Sequence, residues 1–180
     1  ALQLQGCAHA EETGDGIISI TSNDADALLT SGTWLVEFYA PWCGFCQRLE
    51  PTYAEVAAEL TPQGVKVAKI DGTKNQALSA RFGVEGFPTI FHIHEGEVRS
   101  YDNDRTKEMM VWYALHDWEK HKPAFGSLTA PFGIPKRGLG MLVESALTLQ
   151  ALYDHMRQLY GLSQPVAIGI SLLATILIGT

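Results

Sequence analysis

The stretch WLVEFYAPWCGFC, residues 34–46, joins an apolar run containing one acid to two cysteines that are separated by two residues. The run from Trp34 to Ala40 is typical of a central strand that is covered on both faces. Apolar residues recur at helical spacing from Gln47 to Leu60, which predicts that a helix follows. Cys43 and Cys46 therefore lie where a strand ends and a helix begins, and the free N–H groups at such a point favour an anion.

The chain on either side of this stretch alternates between strand and helix patterns. Further strands are predicted at Gly16–Ile20, Val65–Asp71, Thr89–His94 and Glu97–Tyr101, the last two as an antiparallel hairpin. Further helices are predicted after a cap at Ser22–Asp24 as far as Leu29, at Asn75–Phe82 and at Thr106–Trp118. This order of elements predicts a three-layer α/β fold.

The cysteine pair has three candidate roles: a metal site, a structural disulfide and a redox centre. A zinc site would need two further ligands, and Cys7 is remote in the sequence. His92 and His94 share one strand face, where they either bind a metal as a pair or hold surface positions. A structural disulfide across two residues closes almost no loop, so it would add little stability. Redox chemistry uses the spacing, because Cys46 lies one turn beyond Cys43 and can resolve a mixed disulfide formed there. We therefore predict a redox-active Cys43–Cys46 disulfide, with no metal and no further cofactor.

Four separated segments resemble the active domains of the protein disulfide isomerase family, within the thioredoxin superfamily. They are VEFYAPWCGFCQRLEP (36–51), KVAKIDGT (66–73), RFGVEGFPTI (81–90) and YDNDRTK (101–107). Their order before an apolar C-terminal stretch is similar to that of thioredoxin-related transmembrane proteins. The resemblance implies a thioredoxin fold, in which a central mixed sheet carries helices on both faces.

The resemblance also implies roles for three charged residues. Glu37 matches a buried acid beneath the cysteines, whose raised pKa lets it accept the proton of Cys46. Lys69 matches a lysine that offsets this acid, and Arg105 matches an arginine that approaches the second thiol. The alternatives are a solvated strand acid for Glu37 and a surface charge at a helix start for Arg105.

A client-binding surface is the next implication of the resemblance. A cis peptide bond is expected before Pro88, and the expected client contacts are Trp42, Gly44, Phe45, Phe87 and Pro88. Phe45 stands where the isomerases usually carry histidine, so no imidazolium stabilises the Cys43 thiolate. The disulfide should then be a weaker oxidant, which favours a reductase or isomerase over a net oxidase.

The two ends of the chain differ in amino-acid composition from the domain between them. We predict a leader or signal-peptide remnant at 1–15, a thioredoxin-like catalytic domain at 16–121 and a Pro/Gly-rich linker at 122–140. An amphipathic juxtamembrane helix is expected at 141–161 and a membrane segment at 162–180, with the chain ending inside or at the edge of the span. A buried C-terminal helix is the alternative for this last segment.

Composition and resemblance together define the expected partners. The formal net charge of -7 and the lack of a basic run argue against nucleic acid. The resemblance implies a type I protein of the endoplasmic reticulum membrane, with its catalytic domain in the lumen and a lipid bilayer around its anchor. Its clients would be cysteine-containing proteins, themselves anchored in the membrane. The alternative function is a membrane-tethered chaperone or binding module with incidental redox activity.

Overall fold

The chain divides into two compact units, Ala1–Gly140 and Met141–Thr180, in a computed structural model. The structure describes residues 11–12, 14, 16–125 and 130–133 of the first unit. In the second unit it describes residues 143, 145–151, 153–155 and 158. The predicted catalytic domain therefore falls within the described part of the first unit.

The described strands of the first unit form one mixed sheet. They are β1 (Glu11–Glu12), β2 (Ile18–Ser19), β3 (Thr33–Tyr39), β4 (Val65–Asp71), β5 (Thr89–His94) and β6 (Glu97–Ser100). Their order across the sheet is β1-β2-β4-β3-β5-β6. Strand β4 runs parallel to β2 and β3, whereas β5 is antiparallel to both β3 and β6. Strand β1 lies in the segment predicted as a leader and pairs antiparallel with β2.

The helices are α1 (Ala25–Leu28), α2 (Gly44–Leu60), α3 (Gln76–Phe82) and α4 (Lys107–Trp112). Helix α2 begins three residues before the predicted start at Gln47, because Cys43 caps it. Cys46 therefore belongs to the first turn of the helix. The predicted helix Thr106–Trp118 is divided into α4, a π-helical turn at Tyr113–Asp117 and a 3-10 turn at Trp118–Lys120.

Alternating side chains of the central strands build a core on each face of the sheet. Leu35 of β3 packs with α2 and with the segment that begins at α4, and Val36 and Phe38 pack with α1 and α3. This two-sided burial is the physical reason for the apolar run that the sequence shows, and it confirms the prediction of helices on both faces. Glu37 shares the face of Leu35, so its side chain points towards α2.

The prediction of a surface role for His92 is wrong. His92 is fully buried, with its ring stacked on Trp118 at 5.1 Å between centroids and edge-on to Tyr113. Burial, helped by the charges of Arg99 and His94, lowers the pKa of His92 to about 4. Within the described residues no group of three or more His, Cys, Asp or Glu side chains could hold a metal ion.

The predicted linker 122–140 contributes to the first unit. Its described residues, 122–125 and 130–133, contain turns and bends but no helix or strand. The Arg81 guanidinium donates to the Pro131 carbonyl oxygen at 2.9 Å, and Phe132 packs edge-on against Phe82 at 5.7 Å. The Ala124 N–H donates to the carbonyl oxygen of Val98 in β6 at 2.8 Å. This part of the linker is thus bound to the domain.

In the second unit, residues 145–151 are helical and lie within the predicted juxtamembrane helix 141–161. Leu149 is exposed, while the other apolar residues on which this prediction rests lie outside the described residues; they are Leu142, Leu152, Met156 and Leu159. Every helix in the described part of the chain is too short or too polar to cross a bilayer. The predicted membrane segment 162–180 lies outside the described residues.

Candidate active site

The two cysteines lie at the start of α2, and both are free thiols. Cys43 is the N-cap residue, and its Sγ accepts a hydrogen bond from the backbone N–H of Cys46 at 3.3 Å. Cys43 is 6% exposed and Cys46 is 5% exposed, so accessibility hardly separates them. The two thiols differ instead in their surroundings, which shift their pKa values.

The pKa values of the two thiols shift in opposite directions. Burial acts to raise the pKa of Cys43, but hydrogen bonds from the Cys46 side chain and from the backbone N–H groups of Cys46 and Phe45 outweigh it, so its pKa is lowered. Burial, followed by the hydrogen bond with Cys43, raises the pKa of Cys46 to about 12. Cys43 is therefore suited to attack as a thiolate, whereas Cys46 needs a base.

Glu37 is a buried acid that lines the same cavity as Cys46. It pairs in register with Lys69 of β4 and is 5% exposed, and its Oε1 atom has no hydrogen-bond partner. Burial is the largest cause that raises the pKa of Glu37 to about 7, while the charge of Lys69 lowers it. A carboxyl group with a pKa near 7 exchanges protons readily at neutral pH. The alternative of a solvated strand acid is excluded.

A cavity of about 250 Å³ brings Glu37, Lys69 and Cys46 together. Glu50 and Tyr53 of α2 also line it. The Lys69 ammonium forms its ion pair with Glu50, at 3.8 Å between Nζ and Oε1. The thiol of Cys46 therefore shares one cavity with two carboxyl groups, those of Glu37 and Glu50.

The loop before β5 faces Cys43. The peptide bond between Phe87 and Pro88 is cis, as the resemblance implied. The Cys43 thiol donates to the Phe87 carbonyl oxygen at 3.5 Å, and the Arg105 guanidinium donates to the Pro88 carbonyl oxygen at 3.0 Å. Arg105 was expected near the second thiol, but its described hydrogen bond is to this loop. Its charge nevertheless acts on Glu37, whose pKa it lowers.

Three aromatic side chains lie near the cysteines and form an aromatic rim: Trp42, Phe45 and Phe87. Trp42 is 74% exposed and Phe45 is 66% exposed, and the Trp42 ring meets Phe87 edge-on at 6.2 Å. The Arg48 guanidinium lies 4.5 Å from the centre of the Phe45 ring, a cation–π contact. Gly44 is the first residue of α2 and lies between Cys43 and Phe45 in the chain. The predicted client contacts therefore lie around one surface next to Cys43.

Sequence reasoning missed Glu50, Arg48 and Gly72. Glu50 lies four residues after Cys46 and Arg48 three after Phe45, so helical spacing alone could have placed both beside the site. Gly72 gave no such signal. A Cβ atom there would lie 2.4 Å from Cε1 of Phe87, so any larger residue at position 72 would have to displace the Phe87 ring.

Residues 17–115 match the family model for thioredoxin. The chain belongs to the thioredoxin family. It is 42% identical to human protein disulfide-isomerase A6 over 113 residues, covering 59% of this chain and 26% of that protein. It is 31% identical over 179 residues to bovine thioredoxin-related transmembrane protein 1, covering 99% of this chain and 64% of that protein. The family predicted from the four segments is confirmed.

A solved structure agrees with this assignment to the thioredoxin family. The first thioredoxin domain of mouse protein disulfide-isomerase A4 superposes with a TM-score of 0.56 at 33% identity, covering 65% of this chain and 83% of that one. The chain spans less than two thirds of the length of the curated relatives named above. These relatives agree with the predicted enzyme class, a thiol–disulfide oxidoreductase of the protein disulfide isomerase type.

Proposed function

We propose that this chain reduces or isomerises disulfides in client proteins through the Cys43–Cys46 pair. The Cys43 thiolate attacks one sulfur of a client disulfide, forming a mixed disulfide and releasing the other client sulfur as a thiolate. Cys46 then gives its proton to Glu37 and attacks the Cys43 sulfur. The bond to the client breaks, the client leaves as a thiol after protonation, and the chain retains a Cys43–Cys46 disulfide. A dithiol or thiol reductant returns the pair to its reduced form.

The observation that carries this proposal is the asymmetry of the two thiols. A structural cysteine pair needs no difference in pKa, and it needs no titratable acid in a cavity beside one sulfur. Here the pKa of Cys43 is lowered, that of Cys46 is raised, and Glu37 shares a cavity with Cys46. Each group has the protonation behaviour that one step of disulfide exchange requires.

The direction of electron flow is also part of the proposal. With Phe45 beside the pair, the Cys43 thiolate depends on hydrogen bonds and the helix terminus, without an imidazolium. The proposed direction is therefore reduction or isomerisation of client disulfides.

The experiment is insulin reduction by the purified protein with a thiol reductant in excess. Cys43→Ala and Cys46→Ala should each abolish catalysed precipitation of the insulin chains, while Cys7→Ala, the remaining cysteine of the sequence, should leave it unchanged. Equal activity in all four proteins would reject the proposal.

A tethered binding module would instead hold an unfolded client equally well with and without the cysteines. The exposed Trp42 and Phe45 make that comparison worthwhile.

The proposed location is the endoplasmic reticulum membrane, with the domain in the lumen and clients that share the membrane. Support comes from the relative named as a transmembrane protein, which aligns over 99% of this chain, and from the charge-free run Pro165–Thr180. Extraction with alkaline carbonate tests the anchor, since a membrane-spanning chain should stay in the pellet. A form ending at Lys122 should be soluble and should lose any preference for membrane-anchored clients. Release of the full chain would exclude the anchor.

A further inference from the structure

We propose that Glu50 is a positioning residue that holds the Lys69 ammonium and thereby keeps Glu37 able to take the proton of Cys46. The inference rests on the proposed function, because it concerns the step that releases the client. A side chain on the helix that carries the cysteines would then control how strong a base Glu37 is.

Glu50 shares a helix face with Cys46 and forms an ion pair with Lys69. It follows Cys46 by four residues in α2, so both side chains lie on one face of the helix. Its Oε1 atom is 3.8 Å from Lys69 Nζ, and all three residues line the same cavity as Glu37. The Glu50 side chain is 65% exposed and that of Lys69 is 20% exposed, so the pair forms the solvent side of the cavity.

Without Glu50, the Lys69 ammonium could interact with the Glu37 carboxylate alone. The two residues are register partners on adjacent parallel strands, and the Glu37 Oε1 atom has no hydrogen-bond partner. An ammonium released from Glu50 could move towards this oxygen and hold Glu37 in its ionised form. A carboxylate stabilised in this way is a weaker base. Glu50 counters this by giving the lysine a second carboxylate.

Several charged and titratable groups face Glu37 from neighbouring elements. Burial has the largest effect on its pKa and raises it; Lys69 and Arg105 lower it, and Glu50 raises it. The remaining titratable groups that interact with Glu37 are Tyr39, Cys43, Cys46 and Tyr53. Glu50 is thus an acid that acts on Glu37 and also forms an ion pair with Lys69.

Removing the charge of Glu50 should lower the pKa of Glu37. Glu50→Gln keeps the size of the side chain but leaves Lys69 free to act on Glu37. We expect a decrease of about half a unit, smaller than the one to three units that a charge within ~4–6 Å produces, because Glu50 is exposed. The rate of mixed-disulfide resolution, plotted against pH, should then reach half its plateau at a pH lower by the same amount.

Glu59→Gln is the matched control. Glu59 is an acid on the same helix, its side chain is 43% exposed, and its ion pair is with Lys107 at 2.9 Å. It should leave both the Glu37 titration and the pH profile unchanged. In a Lys69→Gln background, Glu50→Gln should have a smaller effect than in the wild-type protein, because Glu50 then has no lysine to hold.

Two measurements decide the proposal. Carbon-13 NMR of the Glu37 carboxyl in the reduced protein gives its pKa without a client, and stopped-flow release of a client from the mixed disulfide gives the pH profile. An unchanged Glu37 pKa in Glu50→Gln, or an equal decrease in the Lys69→Gln background, overturns the role of Glu50. Failure of the wild-type protein to release any client would instead contradict the proposed function.

Discussion

Glu37→Gln should make the domain more stable at alkaline pH. The pKa of Glu37 is raised from 4.5 to about 7, chiefly by burial. The folded protein therefore binds more protons than the unfolded chain between these values, and its free energy of unfolding falls as pH rises through this interval. At 1.36 kcal/mol per unit, the ionised acid costs about 3 kcal/mol of stability above pH 8. A neutral amide does not carry this cost.

The assay is urea unfolding of the reduced wild-type and Glu37→Gln proteins from pH 4 to pH 8.5. An amide that remains unpaired in the core adds a constant offset, so the informative quantity is the difference between the two proteins as a function of pH. That difference should change by about 3 kcal/mol in favour of the variant between pH 4.5 and pH 8. Glu59→Gln, on the exposed side of α2, should show no such change.

A difference that does not depend on pH would refute the reasoning, because it would mean that Glu37 titrates as it does in the unfolded chain. The same variant should resolve mixed disulfides more slowly at pH 7, since Cys46 then lacks its proton acceptor. A more stable protein with slower client release is the combined signature of a buried catalytic acid.

Three other substitutions test separate parts of the structure. Phe45→His should make the disulfide more oxidising by roughly 30 mV if the imidazolium contributes about 1.4 kcal/mol, and equilibration with glutathione measures this. Because His92 is buried without charge, the free energy of unfolding of the wild-type protein should fall by about 3 kcal/mol as pH falls from 6.5 to about 4. His92→Leu should not show this decrease, and urea unfolding across that range checks it. Gly72→Ala should displace the Phe87 ring and alter the alkylation rate of Cys43, whereas Gly86→Ala, which meets nothing within 4 Å, should not.

Local pattern was enough to place the reactive pair, and the resemblance added its acid. The apolar run in β3 predicted a strand covered on both faces, and the four matching segments predicted that Glu37 lies beneath the cysteines. The spacing of Cys43 and Cys46 after that strand placed both at the helix start. These features depend on residues close in sequence, which is why the sequence alone revealed them.

Features that depend on distant segments could not be predicted in this way. His92 is buried because the segment after α4 brings Tyr113 and Trp118 over it, and nothing near His92 in the sequence signals that cover. The ion pair between Lys69 and Glu50 joins a strand to a helix, and Arg81 binds a carbonyl group 50 residues away in the predicted linker. Such contacts are set by the tertiary fold.

The most direct test of the account is to trap the intermediate. Reduced Cys46→Ala protein is mixed with a disulfide-containing client, and the products are analysed by mass spectrometry after rapid acid quenching. We predict that Cys46→Ala carries one client per chain, joined to Cys43, and that this adduct persists. The wild-type protein should release its client over the same period. Attachment at Cys46 in a Cys43→Ala variant at an equal rate, or no adduct in either variant, would contradict the central claim that Cys43 attacks and Cys46 resolves.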